Sequence, residues 1–142
     1  MANTRATRSI MAVGILYTVV ILFATLAPIP WASLNNNQLP LGVLDPDAWL
    51  TATTWTVGSV VEVAVNLLMF VPIGVFAALV LRGAWCWIAP VLLSAGIEIA
   101  QIAHPDRISD PRDLVINTSG ALLGVLIVRM ARRPAVTPSS LA

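Results

Sequence analysis

The 142-residue sequence contains little charge, one cysteine and no lysine. Charged residues make up 11% of the chain, against about 25% in a typical soluble domain, and hydrophobic residues make up 58%. So little charge excludes a soluble globule of this size, and such high hydrophobicity excludes a disordered chain. A single cysteine excludes an internal disulfide and a cysteine-based metal site. The net charge of +1 argues against a nucleic-acid partner.

Four long apolar segments are what the sequence does contain. A helix that crosses a bilayer needs about 20 mostly apolar residues, and the windows that meet this requirement are 10–27, 60–81, 85–103 and 114–130. The sequence therefore predicts an all-α integral membrane protein, a four-transmembrane-helix bundle. The first window is interpreted as an uncleaved signal anchor, because its apolar run is longer than the about 7–15 residues of a signal peptide.

The arginines set the predicted orientation. With the N-terminus inside, six arginines lie on the cytoplasmic side, and Arg107 and Arg112 lie outside. The positive-inside rule therefore predicts a multi-pass protein of the cell membrane with both termini in the cytoplasm. In the outer loop, Asp45 and Pro46 indicate the start of a short interfacial helix. The remaining predicted segments are a cytoplasmic N-terminus at 1–9, outer loops at 28–59 and 104–113, and a disordered cytoplasmic tail at 131–142.

Polar side chains on three of the predicted helices fall at one depth. With a rise of 1.5 Å per residue, Asn66 lies about 9 Å, Glu98 about 7 Å and Asn117 about 5 Å below the outer surface. Polar groups that face lipid cost several kcal/mol, so these are expected to face one another or a wet cavity. Helical spacing places Gln101 on the same stripe as Glu98, and Asp113 on the same side as Asn117.

The main hypothesis is a ligand-binding pocket at this depth, with the candidate residues Asn66, Glu98, Gln101, Arg107, Asp110, Asp113 and Asn117. Structural interpretations of the same residues remain open beside the pocket hypothesis. The buried amides are equally suited to hydrogen bonds between helices, and Asp110 is suited to cap a helix that begins at Pro111. Glu98 is the strongest functional candidate, because a carboxylate in an apolar helix is rare. Its expected ion-pair partner is Arg107.

Small residues predict close contacts between helices. Gly120 and Gly124 form a small-xxx-small pair that allows another helix to approach closely. Pro72 and Gly74 permit a kink in the second span. We expect these positions to serve helix packing.

Three segments resemble motifs of VanZ-like membrane proteins. NLLMFVPIG (66–74) resembles the family's N-x-x-x-F-x-P-x-G signature, and SAGIEIAQ (94–101) resembles its S-x-x-I-E-x-x-Q helix. RISDPRDLVINTSGALLG (107–124) resembles its R-x-x-D-x-x-D-x-x-x-N-x-x-G-x-x-x-G block. The motifs follow the family's order and spacing, so residues 60–130 are interpreted as a VanZ-like core. All seven pocket candidates occupy motif positions.

The resemblance implies a cell-envelope protein, since the family's founding type is linked to low-level resistance to the glycopeptide teicoplanin. The leading hypothesis is an outer-leaflet pocket that binds a cell-wall precursor, a lipid headgroup or an amphiphilic compound of glycopeptide type, with an accessory role in antibiotic resistance. Membrane lipids are the expected partners, and an oligomer is compatible with the sequence.

Two other classes of function remain open. One is a structural or regulatory membrane subunit in which the polar groups fix helix packing. The other is a small membrane enzyme that uses Glu98, Asp110 and Asp113 on a lipid-linked substrate, with a hard cation or as acid and base. No catalytic residue is identified, because the sequence has no serine–histidine–carboxylate order, cysteine nucleophile or zinc-protease motif. No cofactor or resident metal is expected.

Overall fold

Four long apolar helices account for most of the protein. The structure, a computed structural model, describes residues 2–27, 41–104 and 106–132. Its α-helices are α1 (Ala2–Leu26), α2 (Pro46–Leu50), α3 (Ala52–Thr56), α4 (Val60–Val80), α5 (Trp85–Ile102) and α6 (Pro111–Ala131). Helices α1, α4, α5 and α6 are each long and apolar enough to cross a bilayer. The all-α class with four candidate spans is therefore confirmed, whereas the side on which each terminus lies stays a prediction.

Asp-Pro pairs start two of the helices. The Asp110 side chain accepts a hydrogen bond from the backbone N–H of Arg112 at 2.8 Å, and Pro111 is the first residue of α6. In the same way Asp45 caps α2, which begins at Pro46. Proline suits the first helical position because its missing N–H would have no partner inside the helix. Helix α6 therefore begins three residues before the expected apolar window.

Helices α4 and α6 run parallel and meet backbone to backbone. A methyl group added at Gly120 would collide with the carbonyl oxygen of Leu67, and one added at Gly124 would collide with that of Val71. A methyl group at Gly74 would meet the backbone of α6 in the same way. Only glycine allows this approach, and the close contact maximises van der Waals attraction, which drives helix association in lipid.

The other two long helices complete the bundle. Helix α5 is antiparallel to α6, and α1 lies against α4, where the Tyr17 hydroxyl donates to the carbonyl of Met69 at 2.9 Å. All four helices contribute to a buried apolar cluster that consists of Ile21, Phe70, Ile73, Ile97 and Ala121. Large apolar side chains also lie exposed along the outside of the bundle, as expected for a surface that faces lipid.

The two ends of the bundle carry opposite charge. We call one the acidic end, because it holds every acidic residue of the chain: Asp45, Asp47, Glu62, Glu98, Asp106, Asp110 and Asp113. We call the other the arginine end, because its described charged residues are Arg5, Arg8, Arg82, Arg129 and Arg132. The predicted orientation places the acidic end outside the cell. Residues 28–40 of the predicted outer loop, and 133–142 of the predicted tail, lie outside the described residues.

A folded segment closes the acidic end of the bundle. It consists of a 3-10 turn at Gly42–Leu44 followed by α2 and α3, so two short helices stand where one was expected. The Ser109 hydroxyl accepts from the backbone N–H of Val43 at 3.0 Å and holds the turn against the α5–α6 loop. The indole N–H of Trp49 donates to the carbonyl of Val43 at 2.8 Å. This segment forms one wall of the candidate site.

Candidate functional site

The structure brings the predicted site residues to the acidic end, but not into a single pocket. Three of them are buried, two line an open cavity, and two belong to the connections between helices, where the aspartate also borders a second cavity. The buried residues are Glu98, Gln101 and Asn117. Asn66 and Asp113 line the open cavity, and Arg107 and Asp110 belong to the connections. We call the three buried residues, together with buried Ser94 and Ser109, the closed layer.

Glu98 is satisfied by the backbone of the loop before α6. Its side chain is 1% exposed, and its carboxylate accepts a hydrogen bond from the backbone N–H of Asp110 at 2.9 Å. The Ser109 side chain also lies close to this carboxylate. A negative group at the N-terminus of a helix is also favoured by the helix dipole. Glu98 therefore fastens the start of α6 to α5.

Glu98 and Arg107 do not form the expected ion pair in the part of the chain that the structure describes. Arg107 instead reaches the last turn of α1. Its Nη2 donates to the carbonyl of Ala24 at 2.7 Å, and its Nε donates to that of Ala27 at 3.0 Å. The physical reason is that the last carbonyls of a helix lack partners within it and attract cationic donors.

Gln101 also binds the end of α1. Its Nε2 donates to the carbonyl of Thr25 at 3.0 Å, and the side chain is 8% exposed. Its Oε1 is buried with no hydrogen-bond partner among the described residues. Gln101 and Arg107 together attach α1 to the rest of the bundle at the acidic end. Neither reaches the open cavity lined by Asn66 and Asp113.

Polar groups also lie within the closed layer where α5 and α6 face each other. Ser94 is fully buried, and its hydroxyl lies 3.4 Å from the carbonyl of Leu114. Asn117 is 4% exposed, and its Oδ1 has no hydrogen-bond partner among the described residues. Most buried polar atoms in proteins are paired. Asn117 therefore keeps hydrogen-bonding capacity one turn below the open cavity.

An open cavity of about 350 Å³ lies between the first turns of α4 and α6, lined by Val61, Glu62, Val65, Asn66, Arg112 and Asp113. The Asn66 side chain lies close to the Asp113 carboxylate, and both line the cavity. Glu62 is held in place by a capping box, in which its Oε2 accepts from the backbone N–H of Ser59 at 2.9 Å. Two helix starts thus present carboxylates and an amide to one cavity.

Arg112 stands between the two carboxylates of this cavity. Its Nη2 lies 3.9 Å from Glu62 Oε2 and its Nε lies 3.9 Å from Asp113 Oδ1, which is too long for a hydrogen bond. The buried Nε has no hydrogen-bond partner among the described residues, and Nη1 donates to the carbonyl of Val57. Arg112 therefore retains unused donors.

A second cavity of about 630 Å³ lies on the other side of Arg112. Its walls come from residues 42–58 and 108–112, and it shares Glu62 and Arg112 with the first cavity. We call the two cavities together the cleft. From the sequence, Arg112 is recognised only as a charged residue of the outer loop and not as a residue that lines the cleft. Its nearest partner on α4, Glu62, is distant in sequence, and Arg112 is an unspecified position of the motif.

The carboxylates of the described residues are engaged separately and do not form a cluster. Among residues 2–27, 41–104 and 106–132, no three His, Cys, Asp or Glu side chains are close enough to hold a metal ion. The Asp110 carboxylate caps α6, and the Glu98 carboxylate is occupied by the backbone of Asp110. The cleft instead offers a guanidinium beside carboxylates, which suits the recognition of a polar group that carries both charges.

Comparison with known proteins yields one match. The sequence model of a family described as VanZ/LLP1 matches residues 12–132, which include the greater part of α1 and the whole described chain from α2 to α6. No curated protein and no solved structure matches the chain.

Proposed function

This chain belongs to the VanZ/LLP1 family of membrane proteins, and we propose that it binds the polar head of a membrane amphiphile in the cleft at the acidic end. The ligand class is a phosphate that stands beside an amine or several amide N–H groups. A zwitterionic phospholipid headgroup and a lipid-linked cell-wall precursor share this chemistry.

The observation that carries the proposal is the state of Arg112. Its Nε is buried without a hydrogen-bond partner among the described residues, and both neighbouring carboxylates stand 3.9 Å away. A phosphate oxygen that enters the cleft would accept charge-assisted hydrogen bonds from the unused donors of Arg112. The side chains of Glu62 and Asp113, 62% and 29% exposed, would then accept from the amine or amide groups of the same ligand.

The surroundings of the cleft suit an amphiphile. Val60, Val61 and Val65, on the first turns of α4, are 84%, 68% and 46% exposed. Leu50 at the end of α2 is 83% exposed. A ligand whose head occupies the cleft therefore has apolar surface beside it for its chain, as a molecule anchored in the same leaflet requires.

The proposal divides the motif residues between two roles. Asn66, Asp113 and the added Arg112 contact the ligand. Glu98 and Gln101, with the other members of the closed layer, position the helices and the loop that carry the contact residues. This division retains the structural hypothesis for the closed layer, because Glu98 binds the backbone of Asp110 and Gln101 binds that of Thr25.

The test is ligand binding to the full-length protein in nanodiscs. The three probes are phosphatidylethanolamine, a lipid-linked cell-wall precursor and teicoplanin, each titrated against wild type, Arg112→Gln and Asp113→Asn. Loss of one charge-assisted contact is expected to weaken binding by about 10-fold to 150-fold. Asp47→Asn is the matched control, because Asp47 is an exposed acid at the same end that lines neither cavity.

The probes separate the sources of the ligand. Binding of the phospholipid alone would support a headgroup site, and binding of the precursor alone would support a role in the cell envelope. Teicoplanin binding would support the accessory role in antibiotic resistance, and a sensitive host that expresses wild type should then need more teicoplanin for inhibition than one that expresses Asp113→Asn. If none of the three binds, or if both variants bind like wild type, the cleft is not the site.

A further inference from the structure

A third cavity lies at the opposite half of the bundle, away from the cleft. It is a groove of about 420 Å³ between α1, α4 and α5, and its lining includes Gly14, Ile15, Phe76, Val80, Ala89 and Leu93. Its volume falls in the range of ordinary ligand pockets, about 300–1,000 Å³. Thr18 supplies a hydroxyl to the lining, but this hydroxyl donates to the carbonyl of Gly14 at 2.8 Å. The groove therefore presents an apolar surface.

The groove results from the way α1 is attached. At the acidic end, Gln101 and Arg107 join the last turn of α1 to α5 and to the α5–α6 loop by hydrogen bonds. Further along, α1 contacts α4 closely at Gly14, where an added methyl group would stand 3.1 Å from the side chain of Phe76. Helix α1 thus follows α4 towards the arginine end, while a gap remains between α1 and α5.

The charges beside this gap are all of one sign. Arg82 directly follows Leu81, which lines the groove, and Arg8 precedes the lining residue Met11 by about one helical turn. Both arginines are exposed. No acidic residue lies at this end, because all seven belong to the acidic end. An anionic group at the mouth of the groove would therefore find cations and no competing carboxylate.

We propose that this groove holds one acyl chain of an anionic phospholipid, with the headgroup at Arg82 and Arg8. A gap that opens into the hydrocarbon region of a bilayer is surrounded by acyl chains, and an apolar lining accepts one without loss of hydrogen bonds. The arginines select the anionic headgroup over a zwitterionic one, as basic residues next to transmembrane helices do. This site is independent of the cleft, and the proposal does not rest on the function assigned there.

The test compares two phospholipids that have identical chains, phosphatidylglycerol and phosphatidylcholine, by native mass spectrometry of the full-length protein. Wild type is expected to retain phosphatidylglycerol in preference to phosphatidylcholine, by about fivefold for each arginine that contacts the headgroup. Arg8→Gln combined with Arg82→Gln should remove this preference while chain binding persists. Ala89→Phe fills the groove and should abolish retention of both lipids.

Two matched variants make the result specific. Leu92→Phe adds an aromatic ring at a position that is 60% exposed and outside the lining, and should retain lipid like wild type. Arg5→Gln removes an arginine further from the groove and should keep the headgroup preference. Equal retention of the two lipids by wild type would overturn the proposal, as would unchanged retention by a folded Ala89→Phe variant. A dimer that Ala89→Phe dissociates would overturn it too, because the occupant would then be a second copy of the chain.

Discussion

Replacement of Glu98 distinguishes a positioning carboxylate from a ligand-binding one. Its carboxylate accepts from the backbone N–H of Asp110 at 2.9 Å in a nearly inaccessible position, 1% exposed. Glu98→Ala removes the acceptor and leaves this N–H without its partner. Glu98→Gln keeps an oxygen acceptor on a side chain of the same length. If Glu98 acts by holding the loop, the two variants should therefore differ strongly in stability.

The expected magnitudes follow from the cost of an unpaired buried donor. Loss of the acceptor costs about 1–3 kcal/mol, which lowers the ratio of folded to unfolded protein by about 5-fold to 150-fold. The glutamine variant loses only the difference between a charge-assisted and a neutral hydrogen bond, about 1 kcal/mol. Reversible unfolding in mixed micelles, followed by the fluorescence of the five tryptophans, measures both values.

A second measurement locates the effect. Hydrogen exchange in Glu98→Ala should increase most at the backbone amides of Ser109 and Asp110, where the loop meets α6, and little in the half of α6 nearest the arginine end. Equal destabilisation by alanine and glutamine would refute the positioning role, because it would show that the charge itself is required. An alanine variant as stable as wild type would also refute it, because the hydrogen bond to the Asp110 amide would then contribute nothing to stability.

Two further predictions concern packing and the closing segment. Gly124→Ala should lower the free energy of unfolding by about 1–3 kcal/mol, the range for overpacking a close contact, whereas Gly96→Ala, where nothing lies within 4 Å of the added methyl group, should be neutral or stabilising in the same micelle assay. Ser109→Ala should raise the hydrogen-exchange rate of the Val43 amide, because it removes the acceptor at 3.0 Å. The control is Ser119→Ala, which should leave that rate unchanged because the Ser119 hydroxyl bonds its own helix. If the Val43 amide stays protected in Ser109→Ala, the contact is contradicted.

The helices were predictable from sequence because their signals are local. Hydropathy over about 20 residues identifies a span without any knowledge of its neighbours, and α4 begins and ends within one residue of the expected window 60–81. The Asp-Pro starts of α2 and α6 are equally local, because the cap and the helix that it begins are adjacent in the chain. The glycines at 120 and 124 also indicated a close helix contact, although not with which helix.

The partners of the long polar side chains were not predictable in this way. The attraction of opposite charges predicts that Arg107 pairs with Glu98, but the acceptors of Arg107 are the carbonyls that end α1. Every residue has such a carbonyl, so no sequence pattern marks the ones that a distant arginine will reach. The helical rise likewise predicts that Asn66 and Glu98 lie at one depth in the membrane. Depth alone does not distinguish Asn66, which borders an open cavity, from Glu98, which is buried beneath the loop.

The rigidity of the cleft follows from the same contacts that build the bundle. One wall is the start of α4 with Glu62 and Asn66, and the opposite wall is the start of α6 with Arg112 and Asp113. Just below, Gly120 lies against the backbone of α4, so the two helices cannot move closer or rotate without a collision. The positions of the two helix starts that carry the carboxylates and the guanidinium are thus set by backbone packing, and such preorganisation would lower the cost of the proposed binding. The packing glycines and the residues that we propose to contact the ligand therefore lie on the same pair of helices, and the motif segments of α4 and α6 contain both.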